Sequence, residues 1–540
     1  MARRRIGLAI VLALLAGGAL LPLLPAAGGS IRIAGVSVTW WYAIVLAPAA
    51  TTVISMLLGV FADSRALAIW CAPALIVPLA TQVFAAAPTG PLLGSSALAA
   101  ALLAGWARAP SAAALPRVVG ASVLTTVAGL LILANFLVVA DVARGLGAER
   151  WHGLAVAVSL VLVVLWWPTA RWRPSALVVS VALLAVAFVM IAVTTSVTPW
   201  RAWSRLASSA ALAFTERSDW VREGRALPRS VWLTVPEAQH VTALSSAAWR
   251  VVDHDDGGIA MRERQVAPGD ELTVRSGDQL LLPAGARLRF EAGRRVPGAP
   301  VSGVAWADAS AQSPLTAVVA GVATIVTLVG GGVIVLAASK PVMPSLVVRV
   351  AAPSLALVVV LVTACWGIYA ADIAPELTLA APPAAAFIGL PSAVTTGQVG
   401  LVIVALALVG LAGLVVTSVT GLAERAVGAW RSGKRAPETA RMLRVGLVVG
   451  PAALAFVPVT PWRVVLIACA LALAGLGPAY VRASRRARGV AAVAGALAIG
   501  AIVVGSAITS SAVASLLAYP ALIAVPLAAA AGWIAGGRRD

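Results

Sequence analysis

The sequence predicts a polytopic α-helical membrane protein with about 14 transmembrane helices. Both termini are expected in the cytoplasm. One extracytoplasmic β-rich domain, a sandwich or a barrel-like fold, is expected between helices 7 and 8. Three observations predict this class. Apolar residues make up 61% of the 540 residues and charged residues only 11%, where a soluble domain is about half apolar and about a quarter charged. Hydrophobic runs near the roughly 17 to 25 residues needed to cross a bilayer recur along the chain. One long interval, 198–314, lacks such a run and carries glycine at a period of eight: Gly269, Gly277, Gly285 and Gly293.

The first segment, Met1 to Pro25, has Arg3, Arg4 and Arg5, then an apolar run, then Ala26 and Ala27. It reads as a first transmembrane helix or a cleaved signal peptide, and either leaves residue 30 outside. Further spans are expected near 39–61, 67–87, 91–107, 118–140, 152–168 and 174–196. After the interval come 315–338, 350–371, 397–420, 443–458, 463–481, 489–509 and 512–534. The chain therefore divides into an N-terminal bundle (1–197), an outer domain (198–314) and a C-terminal bundle (315–540).

Charge tests this topology. The net charge is +19, yet the interval 198–314 is nearly neutral, with 14 Arg against 13 acids. The excess lies in the short loops and termini. Those expected inside hold 22 basic residues and the short outer loops hold four: Arg32, Arg144, Arg150 and Arg463. That split fits the positive-inside rule and an even number of crossings. It is the footprint of membrane topology, so nucleic acid is not expected as a partner. Tryptophans at span ends (Trp40, Trp41, Trp166, Trp167, Trp200, Trp203, Trp462) fit the headgroup level. The pentapeptide Val-Thr-Pro-Trp-Arg occurs at 197–201 and 459–463. It marks either a duplicated half, as in inverted-repeat transporters, or a coincidence in a biased composition.

Within the outer domain, residues 202–226 read as an amphipathic helix whose apolar set is Trp203, Leu206, Leu212, Phe214, Trp220 and Val221. It would lie on the membrane, on the transmembrane bundle or on the β-domain expected over 228–300. Strands are expected at 230–235, 247–252 and 259–264, with a turn at Asp255-Asp256-Gly257-Gly258. The octads read G-x-x-L-x-(V/L/F), as Leu272 and Val274, Leu280 and Leu282, Leu288 and Phe290. A spacing of two puts both side chains on one strand face. Glycine with Asp270, Asp278 and Pro283 supplies the turns. The domain should hold roughly six to eight strands. The stretch Gly277-x5-Pro283-x-Gly285 resembles the second conserved motif of cupin barrels, over fewer than ten residues. Cupins place a metal-binding histidine three residues after that glycine, and here the position is Leu288. The resemblance implies barrel-like turns and no cupin metal site.

The chemistry-bearing residues are sparse. The three histidines, His152, His240 and His254, put no pair inside a span, which argues against a haem in the bundle. Cys71, Cys365 and Cys469 fall in hydrophobic runs, with no C-x-x-C pair. No G-x-x-x-x-G-K-[ST] loop occurs, so any ATP use would come from a partner. Mid-span Lys, Asp and Glu are nearly absent. Asp141, Asp372 and Glu376 sit at outer ends and Asp63 at an inner one, which argues against a proton pump. Hydroxyls and one amide at Thr51, Thr52, Ser55, Thr125, Thr126, Asn135, Thr194, Thr195, Ser196, Thr509, Ser510 and Ser511 could coordinate sodium or join helices. Gly330 to Gly332, Gly495, Gly500 and Gly505 either allow close packing or loosen a helix that must move. Asp253-His254-Asp255-Asp256 is either a calcium-binding run or a solvated hairpin tip. Asp141, Glu149, Asp372 and Glu376 are possible outer bases, and Arg144, Arg150 and Arg463 could hold a pyrophosphate. A cytoplasmic loop over 421–445 would anchor on anionic lipid or dock an ATPase. The sequence assigns no catalytic, cofactor-binding or metal-binding residue.

The first functional reading is a transporter or export component for a small or amphiphilic solute, in the cytoplasmic membrane. The second is a non-enzymatic scaffold subunit of an envelope complex, whose β-domain binds a partner. The third is a lipid-linked glycan transferase or polymerase. The expected partners are the lipid bilayer and either a cytoplasmic ATPase or an envelope protein. A continuous polar cavity at bilayer depth would favour transport, and a solid apolar bundle would favour the scaffold.

Overall fold

The computed structural model describes residues 2–21, 32–33, 36–58, 69–84, 96, 99–100, 115–146, 148–166, 173–205, 218–219, 231–235, 238–255, 258–283, 285–291, 294, 314–336, 346–373, 385–394, 397–430, 437–457, 459–480, 484–508 and 519–536. The protein is mostly helical, with a small β region. Among the described residues, seven helices are long and apolar enough to cross a membrane: Val118–Arg144, Ser175–Thr195, Val318–Leu336, Val350–Ile373, Gln398–Trp430, Pro461–Ala479 and Arg485–Gly505. Shorter apolar helices lie at Ala9–Leu20, Tyr42–Leu57, Arg150–Trp166 and Pro520–Gly536. The outward faces of the helices are also apolar. Leu401 is 71% exposed, and Val178, Val179, Val186, Val189 and Val193 are exposed along one helix. Water would penalise such a surface, and a bilayer would not. The span expected at 91–107 lies almost wholly outside the described residues.

The helical core is held by small residues and aromatics. Helix Gln398–Trp430 packs on Arg173–Thr195 through Gly410 and Gly413, where an added Cβ would meet the Ser180 carbonyl at 2.9 Å and its hydroxyl at 2.1 Å. Gly331 faces the Cys469 carbonyl, 2.2 Å from an ideal Cβ position, so the backbones nearly touch. Trp366 stacks on Phe387 at 4.3 Å, and Phe188 meets the Tyr369 ring edge-on at 5.2 Å. The Tyr369 hydroxyl donates to the Val197 carbonyl. These four rings join three helices, one of which, Ala385–Val394, the sequence reading did not anticipate. Its ten residues fall short of a span, and Pro391 interrupts its hydropathic pattern. Helix Ala2–Leu20 packs Val11 and Leu15 against Ala99 and Val329.

Three further elements depart from expectation. The span near 67–87 is broken at Cys71–Ala72, and its main helix starts at Pro73. Proline lacks an N–H and suits the first helical position. The helix expected over 397–420 runs to Trp430, about 50 Å in all. Leu422, Ala423, Ala426 and Val427 are buried in the bundle, so the loop expected over 421–445 shrinks to a short connection before helix Pro437–Leu454. Of the amphipathic helix expected over 202–226, residues 206–217 and 220–226 lie outside the described residues, and the strand at 218–219 departs from it. The described helix is Pro199–Arg205, and Ser218–Asp219 is a strand paired with Arg289 and Phe290.

Among the described residues the β region is an antiparallel sandwich of eight strands. One sheet has the order Ser218–Asp219, Leu288–Phe290, Gln239–Ala243, Glu271–Val274. The other has Val231–Thr234, Gln279–Leu282, Ala247–Asp255, Gly258–Val266. They share a core centred on the fully buried Trp249, with Val241, Val274, Leu280, Leu282, Leu288 and Phe290. The octad period has a physical basis. Gly269, Gly277 and Gly285 all have φ between 84° and 94°, a region open to glycine at little cost. In the first two turns the following aspartate accepts from the backbone three residues back, Asp270 from Ala267 and Asp278 from Arg275, each at 2.8 Å. The glycine N–H then bonds the opposite strand, Gly269 to Ala243 and Gly277 to Val235. Each octad thus carries the chain from one sheet to the other. Gly293 lies outside the described residues.

Candidate functional site

The break at Cys71–Ala72 is the most site-like feature of the bundle. Asn135 lies fully buried on helix Arg117–Gly145. Its Nδ2 donates to the Leu131 carbonyl at 2.9 Å, and its Oδ1 accepts from the Ala74 N–H at 3.2 Å. A helix starting inside apolar surroundings has N–H groups without intrahelical partners, and the amide supplies one acceptor. A cavity of about 20 Å3 adjoins this contact, lined by Trp70, Ala72, Ala74, Asn135, Gly332 and Cys469 among others. It has room for roughly one water molecule. The sequence marked Asn135 as polar in a span. Its partner, 61 residues away, carried no signal of its own.

Several of the remaining buried hydroxyls bond their own helix. Thr52 donates to Pro48, Thr81 to Val77, Thr363 to Val359, Thr417 to Gly413 and Thr420 to Val416. Such back-bonding hides a hydroxyl in an apolar bundle and lines no path. Thr51 and Thr327 are buried with no hydrogen-bond partner for Oγ1 among the described residues.

Of the acids and arginines expected at outer ends, the structure brings together Asp141 and Arg150, with Nη2 to Oδ1 at 3.4 Å and both side chains mostly buried. Arg150 also donates to the Phe456 carbonyl at 3.4 Å. The pair therefore ties the ends of helices Arg117–Gly145 and Arg150–Trp166 to the chain just after Leu454. Glu149 accepts from the Trp151 indole at 2.6 Å. A carboxylate held by a guanidinium acts as a structural tie, and a general base needs free access to its proton. Asp372 is buried at the end of its helix, and Glu376 lies outside the described residues.

In the sandwich, Asp255 pairs with Gly258 at the tip of the hairpin. Asp256 lies outside the described residues. The His240 ring shares a hydrogen bond with Thr273 at 3.1 Å, and the His240 backbone N–H donates to the Glu291 carboxylate. Among the described residues no three His, Cys, Asp or Glu side chains are grouped to hold a metal ion.

The two Val-Thr-Pro-Trp-Arg copies have one local explanation. Each begins a helix, with Thr198 or Thr460 before a proline in the first turn. The Arg201 N–H donates to the Thr198 hydroxyl at 3.3 Å. Thr-Pro is a favoured helix start, so the recurrence needs no duplication. At the first copy Trp41 stacks on Trp203 at 4.6 Å and lies 5.2 Å from Trp200. The sequence placed these rings at span ends but could not pair them. Comparison with protein-family models, with curated proteins and with solved structures finds no match for this chain.

Proposed function

We propose that the protein is a non-enzymatic subunit of an envelope complex, whose bundle holds the sandwich outside the cytoplasmic membrane for a protein partner. What supports this reading is the dense packing among the described residues: several buried hydroxyls bonded to their own helices and, at the helix break, a cavity of about 20 Å3. A solute path needs lined polar space, and a support needs dense packing. The sandwich also offers a surface for a partner. Edge strand Gly258–Val266 exposes Arg262, Glu263, Arg264 and Gln265 in succession. The test is purification in nanodiscs followed by mass spectrometry. A stoichiometric protein partner, lost in the Arg262→Glu, Arg264→Glu double variant, is the expected result. A single polypeptide that moves solute across liposomes would overturn the reading.

Transport stands as the second reading because of the helix broken at Cys71–Ala72 and capped by Asn135. Discontinuous helices of this kind build midplane sites in secondary transporters. The outward orientation of the sandwich is supported by the split of basic residues, 22 to four. An alkaline-phosphatase fusion at Gly258 is expected to be active, and an inactive fusion would reverse the orientation.

A further inference from the structure

Helices Arg117–Gly145 and Pro437–Leu454 leave an apolar groove of about 650 Å3 between them, open to the outside of the bundle. Thr126, Gly129, Leu130 and Leu133 form one wall. Thr439, Met442, Leu443, Gly446, Leu447, Gly450, Pro451 and Leu454 form the other. The groove exists because side chains are missing. A Cβ at Gly446 or Gly450 would meet no atom within 4 Å. The surrounding surface is apolar, with Met442 74% exposed and Val449, Leu454 and Phe456 also exposed. In a membrane the solvent for this face is lipid.

We propose that this groove binds one acyl chain of an anionic phospholipid, with the headgroup at the Thr439 end. Length supports the occupant. From Thr439 to Leu454 the helix rises about 22 Å, enough for the roughly 15 Å hydrocarbon depth of one leaflet. Charge supports the headgroup and its end. Helix Pro437–Leu454 carries its two arginines, Arg441 and Arg444, in the first half and none beyond. Arg441 lies over the Trp166 ring at 5.1 Å, on the side away from the groove. Arg444 follows Leu443 on the groove's flank, and its buried Nε has no hydrogen-bond partner among the described residues. A phosphate at this end would find a charge-assisted partner in the half-buried Arg444 guanidinium. The Trp166 ring, a common marker of the headgroup level, lies near the same end. The inference rests on the chain being membrane-embedded and is independent of whether it is a support or a transporter.

The test uses the full chain in nanodiscs of phosphatidylcholine with a minor share of phosphatidylglycerol, released for native mass spectrometry. One phosphatidylglycerol retained per chain is the expected result. Gly446→Leu with Gly450→Leu should fill the groove and abolish retention. Arg444→Gln should reduce it about tenfold, the equivalent of one charge-assisted hydrogen bond. Val449→Leu should leave it unchanged, controlling for added bulk on the lipid-facing surface. Retention untouched by the double glycine variant would overturn the proposal. So would equal retention of the two lipids. A wild-type dimer that becomes monomeric in the double variant would instead make a second copy the occupant.

Discussion

Replacing Asp141 with alanine is expected to cost about 3 kcal/mol of folding stability, because it strands the buried Arg150 guanidinium. The two side chains are 8% and 16% exposed, so water does little to replace the lost partner. Arg150 would keep only its 3.4 Å bond to the Phe456 carbonyl. Replacing both, Asp141→Leu with Arg150→Met, should recover most of the loss, since an apolar pair has no charge to desolvate. Unfolding of the four species in detergent, arranged as a double-mutant cycle, measures the coupling. A single-variant loss under about 1 kcal/mol would show that the pair behaves as a solvated surface bridge.

Gly331→Leu is expected to separate two helices that now touch through their backbones. An ideal Cβ there falls 2.2 Å from the Cys469 oxygen and 2.6 Å from its carbonyl carbon. Backbone cannot rotate aside as a side chain can. The penalty should exceed the usual 1 to 3 kcal/mol or so of overpacking, with aggregation on size-exclusion chromatography as the visible result. Gly500→Ala is the contrasting variant: nothing lies within 4 Å of its Cβ. It should be neutral or gain up to about 1 kcal/mol from helix propensity. A tolerated Gly331→Leu would mean that the Gly331 helix can move off Pro461–Leu471 at little cost.

These contrasts show where sequence reading stops. Hydropathy anticipated the seven described helices that are long and apolar enough to cross, because a span needs only composition and length. The sandwich was legible because its turns demand glycine and aspartate at fixed places, and its strands demand alternation. Glycine in a helix is different. Gly331, Gly495 and Gly500 look alike in the sequence, yet the first two abut the backbone of another helix and the third faces open space. The break before Pro73 was legible in principle, since proline often opens a helix. Hydropathy averages over it. The helix Ala385–Val394 escaped for the converse reason, being too short to register as a span. Asp141 and Arg150 were both recognised as outer-end charges, but their pairing depends on how two helices meet, which no local pattern encodes.

The alternation of the octads between sheets gives the sandwich a parity. Glu271–Val274, Gln279–Leu282 and Leu288–Phe290 fall in the first sheet, the second and the first again. Loss or gain of one unit would send every later strand to the wrong layer, with its inward leucines arriving at a layer already filled. Two units together would restore the order. Length change in this part of the chain is therefore tolerated in pairs of repeats, and a single repeat is not a neutral evolutionary step.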